Sequence, residues 1–444
     1  MSSSLLLYSL DEVVKTSSSL RLSYREHTDA LHLRWTLPPS KSLWARALLL
    51  DALQGKLPPL AFAEGTPQDI LALYTALLAC QGGAEEVCVS ESGTAMRFVC
   101  AYLSVTTQHP ARLFGTGRQH ERPIAPLFEA LRSQGAKITY LDHEGYPPLL
   151  IEPSTIAWQG CELDASASSQ YLSALLLLAP LLPVGFGIDT RRYGLASRPY
   201  ALMTKALLQE QGFVWEEEPS GLFCYRGKRG EGSQGTSILD RGYEADWSGA
   251  SYAFAWLSLL PLGSTMELPG LCYPSLQGDA GYLVSFFKEL GVKTLPDGRG
   301  VKLQRIEHAD TIASFTASMH ECPDLVPALV TALVGQGRPF TLTGVAHLRI
   351  KESDRLEALR VELAKLRVEL TLGEDSISWD AHAWIRPMEC PPILATHGDH
   401  RIAMALSVLT IPVGTVLLEH PEVVSKSFPR YWEELIPFLM VEEN

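Results

Sequence analysis

One kind of segment recurs along the chain at nearly constant spacing, and it constrains the fold more than any motif does. A loop of small or polar residues runs into an apolar helix in SKSLWARALLL, SGTAMRFVCAYL, SSQYLSALLLL, WSGASYAFAWLSLL, CPDLVPALVTALV and GDHRIAMALSVL. With Lys41, Gly93, Ser168, Ser248, Asp324 and Arg401 as markers, the steps are 52, 75, 80, 76 and 77 residues, so only the first is short. A second helix is predicted to open near Pro67, Ile124, Pro199, Asp279, Asp354 and Arg430. Three of these end alike, in LRSQGAKI, LQEQGFVW and FKELGVKT, where Gly135, Gly212 and Gly291 suit a left-handed stop. In the fifth unit Arg367 stands where that glycine would be.

Strand-like stretches fill the gaps. ARLFG, FGIDT, TMELP, PFTLTG and TVLLE follow first helices, and pairs joined by turn residues, such as VKTLPDGRGVKLQ, follow second helices. The unit therefore reads β-α-β-α-β-β, six times over. A unit of this size cannot bury both its helices alone, so units must pack on one another. Three per domain predicts an α/β fold of two similar domains, 39–242 and 1–38 plus 243–444. The chain would cross between them just before Lys41 and around Gly242, and the most linker-like composition runs from Gly227 to Thr236.

At 444 residues the chain is too long for one ordinary core, which agrees with two domains. A net charge of −13 argues against general binding to nucleic acid or anionic membranes, but not against a small basic pocket. The eight cysteines include no CxxC pair, and most sit in apolar runs, so we expect reduced, buried thiols in a cytoplasmic protein. MSSSLLLYSL lacks a basic start and is followed by Asp11 and Glu12, unlike a targeting segment. The apolar stretch from Tyr171 to Ile188 is broken by Pro180 and Pro183 and is expected to be a buried helix running into a strand.

The residues at the helix openings point to anions. Helix N-termini carry unpaired N–H groups and a positive dipole end. The first-helix openings hold Lys41, Ser42 and Arg46; Gly93 and Arg97; Ser168, Ser169 and Gln170; and Arg401. The second-helix openings add Arg118, Arg122, Ser197, Arg198, Lys351 and Arg355, with Lys426 just upstream of the last. In RIKESDRLEALR (349–360), Asp354 or Ser353 caps a helix whose dipole disfavours Arg349, Lys351 and Arg355. Their placement there is expected to serve anion binding, and removing Arg355 to leave stability unchanged or improved. Each cation has a plainer reading as a solvated surface charge, each serine as an N-cap, Asp324 as a dipole-matched acid and Glu352 as an ion-pair partner. His397 and His400 form an HxxH pair without a third ligand at a recognisable spacing, so no metal is expected, and His400 reads as a structural or site-lining imidazole.

In the order PPSKSLWARALLL, SGTAMRF, ERPI, SSQYLSALL, SRPY, CPD, RIKESDRL, GDHRIAM and SKSFP, the chain resembles the EPSP synthases (3-phosphoshikimate 1-carboxyvinyltransferases) over nearly its whole length. The resemblance implies two domains, each an inside-out α/β barrel of three units, with the site between them. It implies a monomer without cofactor or metal that moves the enolpyruvyl group of phosphoenolpyruvate to the 5-hydroxyl of shikimate 3-phosphate. By resemblance Lys41, Ser42, Arg46, Ser168, Ser169, Ser197, Asp324 and Lys351 hold shikimate 3-phosphate. Lys41, Gly93, Arg122, Gln170, Arg355, Arg401 and Lys426 fall on the phosphoenolpyruvate side. Asp324 matches the base at the 5-hydroxyl, Glu352 the group that protonates the methylene carbon, and Lys41 and Lys426 the support of the tetrahedral intermediate. Gly93 would let backbone approach the ligand closely, and the halves would close on binding.

The chain departs from the family pattern at Glu91, Phe98, His347 and Trp44-Ala45, where Asn, Pro, Asn and Ser-Asn are usual. The sister enolpyruvyl transferases acting on UDP-N-acetylglucosamine carry a reactive Cys five residues before the Arg-Pro pair; Gly117 stands there, and Ser42 follows Lys41 in place of Asn. A non-catalytic anion-binding module on the same scaffold would be expected to lose Asp324, Glu352 or Lys351, and all three are present. An RNA-end-processing enzyme on a related fold conflicts with the acidic balance.

Overall fold

The fold is built from pairs of helices. In the computed structural model, residues 18–230, 244–298, 300–307, 313–382, 388 and 390–443 are described. The N-terminal MSSSLLLYSL, the predicted crossing at Gly242 and most of the Gly227–Thr236 stretch lie outside them. In chain order the pairs are α1 (Lys41–Leu53) and α2 (Gln68–Gln81), α3 (Gly93–Thr106) and α4 (Ala125–Ser133), and α5 (Ser169–Leu177) and α6 (Arg198–Glu210). They continue with α7 (Trp247–Leu259) and α8 (Asp279–Glu289), α9 (Val326–Gly335) and α10 (Arg355–Ala364), and α11 (His400–Val408) and α12 (Tyr431–Leu435). Every predicted marker lies within two residues of a helix start.

The reasons are local. Ser40, Ser92 and Ser168 cap α1, α3 and α5 with side-chain oxygens, and Asp246, Asp354 and Asp399 cap α7, α10 and α11. Gly135, Gly212 and Gly291 adopt φ of 101°, 84° and 79°. Arg367 takes the same left-handed turn at φ 64°, where a side chain makes it costlier. The odd-numbered helices from α3 to α11 are buried almost all round, as helices without a polar face must be. In α10, Leu356, Leu359 and Leu363 are fully buried, each contributing about 1.5–3 kcal/mol. Leu366 and Leu370 are buried too, although the helix ends at Ala364.

Among the described residues, five four-stranded sheets cover these helices. In one, Glu86–Cys88 pairs parallel with Ala111–Phe114 across α3, and Leu149–Glu152 lies antiparallel between Ala111–Phe114 and Lys137–Tyr140. The other sheets repeat that order. The N-terminal segment completes two of them. His32–Arg34 runs parallel to Thr265–Pro269, and Ser19–Tyr24 lies antiparallel between Thr415–Glu419 and Leu439–Glu443.

The expectation of six identical units is corrected at the first. Among the described residues, no strand joins α1 to α2 or follows α2 before Glu86, so this unit has helices and no sheet of its own. The short first step of 52 residues leaves no room for the missing hairpin. Buried side chains form two clusters, one from Leu43 to Tyr225, the other from Leu20 to Leu37 and from Ala245 to Leu439. The stretch from Tyr171 is a buried helix that reaches the strand Gly187–Asp189, and no described helix is long and apolar enough to cross a membrane. All eight cysteines are free, but only Cys100 and Cys322 are buried; Cys88 lies on the outward face of its strand, where alternation exposes it.

Candidate active site

The helix openings of the two clusters converge on one cleft. Lys41, Ser42, Arg46, Gly93, Arg122, Ser168, Ser169, Gln170, Ser197, Asp324, Lys351, Glu352, Arg355 and Arg401 all line it. Lys426 does not; it lies beside the cleft, its Nζ 3.8 Å from Glu352 Oε1. Of the other cations at helix openings, Arg97 is buried away from the cleft on the carbonyls of Gly93 and Pro123. Arg198 is bound to Glu217, and Arg118 reaches across to the main-chain oxygen of Glu352 at 3.2 Å. Asp69, Thr94, Tyr200 and Pro323 also line the cleft, each within two residues of a predicted helix opening.

The N-terminal wall is built from neutral groups and satisfied cations. Arg46 is buried, its guanidinium donating to Thr204 Oγ1 (2.6 Å), the Ser42 carbonyl (2.8 Å), Ser173 Oγ (3.0 Å) and the Tyr200 carbonyl (3.3 Å). Burial pulls it down to about 10. Phe98 lies under that guanidinium at 5.8 Å, which gives the departure at 98 a purpose. Lys41 is paired with Asp69 at 3.0 Å, and Gln170 donates to Thr94. Gly93 leaves room for Arg122: a Cβ there would come within 2.5–2.6 Å of its guanidinium. The glycine thus lets Arg122 close in on the backbone at the cleft wall. Ser197 has φ 50° and makes no capping bond, a strained turn that leaves its hydroxyl to the cleft.

The C-terminal wall is an ionic lattice. Asp324, in the turn just before α9, accepts from Arg401 (2.7 Å) and Arg355 (3.0 Å). Arg355 is 1% exposed and also donates to Asp399 (2.8 Å) and Glu352 (2.7 Å). This corrects the expectation that Arg355 is free for ligand at no cost to stability. Here the buried guanidinium is matched by carboxylates, of which Asp399, which also caps α11, is the deepest.

Burial drives the Asp324 carboxyl up, but Arg401, Arg355 and Lys351 outweigh it and hold the group well below the usual carboxylate range. Glu352 behaves likewise: burial raises it, and Arg355, Arg122 and Lys426 bring it far down, so it is a carboxylate in this arrangement. Burial lowers Lys351 to about 8 against the pull of Asp324. His400 is buried and kept neutral by burial and by Lys41, while His397 is hydrogen-bonded to Glu362 at 2.8 Å; the two do not face one ligand. His347 lies in the turn Ala346–Ile350, where burial and then Lys351 lower it to about 4.

The halves also touch directly, through Arg118 and Glu352, Lys426 and the Glu91 carbonyl (3.1 Å), and the Ser197 N–H and the His320 carbonyl (3.2 Å). A partly exposed carboxylate between two arginines faces a row of serines at helix N-termini, an arrangement able to hold a polyanion.

The sequence profile of EPSP synthase (3-phosphoshikimate 1-carboxyvinyltransferase) matches residues 81–435. The chain belongs to the EPSP synthase family. Among curated relatives named 3-phosphoshikimate 1-carboxyvinyltransferase, one from Bacteroides fragilis (strain YCH46) is 36% identical over 406 residues, covering 90% of this chain and 93% of its own. One from Escherichia coli O6:H1 is 32% identical over 423 residues, covering 90% and 94%. A solved EPSP synthase from Acinetobacter baumannii shares the fold with a TM-score of 0.68 at 20% identity, over 96% of this chain and 100% of that one. In this EPSP synthase family member the ionic lattice and the serine row are the two walls of a single cleft.

Proposed function

We propose that the cleft transfers the enolpyruvyl group of phosphoenolpyruvate to the 5-hydroxyl of shikimate 3-phosphate, releasing phosphate, as the family's enzymes do. The observation that carries the assignment of roles is Asp324, held between Arg355 and Arg401 and lining the same cleft as Lys351. Shikimate 3-phosphate sits against Lys41, Ser42, Arg46, Ser168, Ser169, Ser197 and Lys351. Phosphoenolpyruvate sits against Lys41, Gly93, Arg122, Gln170, Arg355, Arg401 and Lys426.

The charge pattern suggests how the roles are turned on. While Arg355 and Arg401 are held by Asp324, its carboxylate is a weak base. The carboxylate and phosphate of phosphoenolpyruvate compete for those guanidiniums, and each one drawn off raises the basicity of Asp324 toward the 5-hydroxyl proton. Glu352 is governed in the same way by Arg122, Arg355 and Lys426. Freed from them it can carry a proton to the methylene carbon, and take one back when phosphate leaves. The 5-oxygen bonds to the central carbon in the first step, and the bond to phosphate oxygen breaks in the second. Lys41 and Lys426 stabilise the intermediate between them.

The two buried clusters support domains 39–242 and 1–38 plus 243–444, each an inside-out α/β barrel with helices within and sheets without. One chain supplies both walls, so the reading is of a monomer, working in the cytoplasm. The test is phosphate release from phosphoenolpyruvate by the purified chain, with and without shikimate 3-phosphate. Release that does not depend on shikimate 3-phosphate overturns the reading.

A further inference from the structure

Where the chain passes between the halves, two short segments lie side by side. Ser40 N–H donates to the Glu244 carbonyl (3.0 Å), Asp246 N–H to the Pro38 carbonyl (2.9 Å), and Pro39 bridges Ala245. The turn Gln277-Gly278-Asp279, which opens α8, grips this crossover. Gln277 is buried, and its amide is fully used. Its oxygen accepts from Ser40 Oγ (2.8 Å) and the Trp247 N–H (3.1 Å); its nitrogen donates to the Ala245 carbonyl (2.8 Å) and the Glu244 carboxylate.

The next two residues reach the other half. At Gly278 a Cβ would overlap the Pro199 ring at the start of α6, so only glycine lets the two helix openings meet this closely. Asp279 is 1% exposed, and one carboxylate oxygen accepts from Tyr200 OH (2.7 Å) and Ser248 Oγ (2.5 Å). Tyr200 lines the cleft beside Ser197, whose carbonyl accepts its N–H (3.0 Å), and its own carbonyl accepts from Arg46.

We propose that this turn is a positioning element: Gln277 fixes the crossover, and Asp279 fixes Tyr200 against the wall that receives shikimate 3-phosphate. The inference rests on the proposed placement of that substrate. Tyr200 stands in the SRPY stretch and Asp279 at a predicted helix opening, but neither the resemblance nor the spacing gives either of them a role at the site. Asp279 does not line the cleft and acts through Tyr200.

Steady-state kinetics on the full chain test it. Asp279→Ala should raise KM for shikimate 3-phosphate about 10-fold, the scale of one hydrogen bond to a charged group. KM for phosphoenolpyruvate should move less than about 2-fold. Asp279→Asn keeps an acceptor for Tyr200 and should restore most of the loss. Tyr200→Phe should resemble Asp279→Ala, and the double variant should be no worse than the worse single one, because both remove the same contact. If Asp279→Ala does not fold, Asp279→Leu, which fills the volume without accepting a hydrogen bond, takes its place. Unchanged KM values, equal rises for both substrates, or additive losses in the double variant overturn the inference. An inactive parental chain would instead overturn the assignment of the reaction.

Discussion

The two walls of the cleft bind charge by opposite means. On the N-terminal wall Arg46 is surrounded by hydroxyls and carbonyls, and the serines present neutral groups at helix N-termini. On the C-terminal wall the arginines are matched by carboxylates: Arg355 by Asp399, Glu352 and Asp324, and Arg401 by Asp324. The first wall is a fixed receptor whose geometry does not depend on protonation. The second is a set of exchangeable ion pairs, and the groups able to move protons belong to it. That division suits one substrate that must be oriented and another that must be activated.

The largest expected effect falls on the exchangeable wall. Asp324→Asn keeps both arginine contacts in reach but cannot take a proton, so kcat should fall by roughly 10²–10⁴ while shikimate 3-phosphate still binds. Near-normal turnover would remove Asp324 as the base and leave the wall purely structural.

Arg355→Ala compares the walls directly. It strands three carboxylates around a buried void, which should cost about 3–5 kcal/mol in urea unfolding. Arg46→Ala leaves only neutral acceptors and should cost about 1–3 kcal/mol. Equal losses would mean that the ionic lattice is no more demanding than the hydrogen-bonded one.

Lys351 separates them by pH. Its folded value of about 8 lies below the ordinary 10.5. Between those values the unfolded chain holds a proton that the folded one has released, so this group makes stability rise with pH across that window. Binding should move the other way, because neutral Lys351 attracts phosphate poorly. Shikimate 3-phosphate affinity should weaken as pH rises through about 8, and Lys351→Arg should abolish that dependence while the Ser168 and Ser169 contacts stay constant. A flat affinity profile in the parental chain would remove Lys351 from the substrate.

Much of this was legible in the sequence because it is local. Caps, apolar runs and the glycines at 135, 212 and 291 announce helix ends within a few residues, but the short first step alone does not say which part of the unit is missing. Residues at helix openings were found for the same reason. Their partners were not. Asp399 is 44 residues from Arg355, Asp69 is 28 from Lys41, and Asp279 is 79 from Tyr200; no spacing encodes such pairings. The sequence therefore showed where the cations stand, but not that those on one wall are already neutralised. That is why helix-dipole reasoning alone misjudged Arg355.

The smallest effect concerns Glu91, an acid of the N-terminal half beside the cleft. Its carboxylate lies 3.9 Å from Lys426 Nζ and is 55% exposed, while its carbonyl accepts from the same ammonium at 3.1 Å. The side chain should act as a weak competitor for the anion that Lys426 is proposed to receive, and the main chain should keep the ammonium placed. An exposed pair is worth about 0–1 kcal/mol, so Glu91→Gln should lower KM for phosphoenolpyruvate by about 2- to 5-fold with kcat unchanged. The gain should shrink at high salt, which screens an exposed pair. A raised KM would mean that the carboxylate orients Lys426 and does not oppose the substrate. In that case an ion pair between the halves would serve the substrate, and the contrast between the walls would be one of degree.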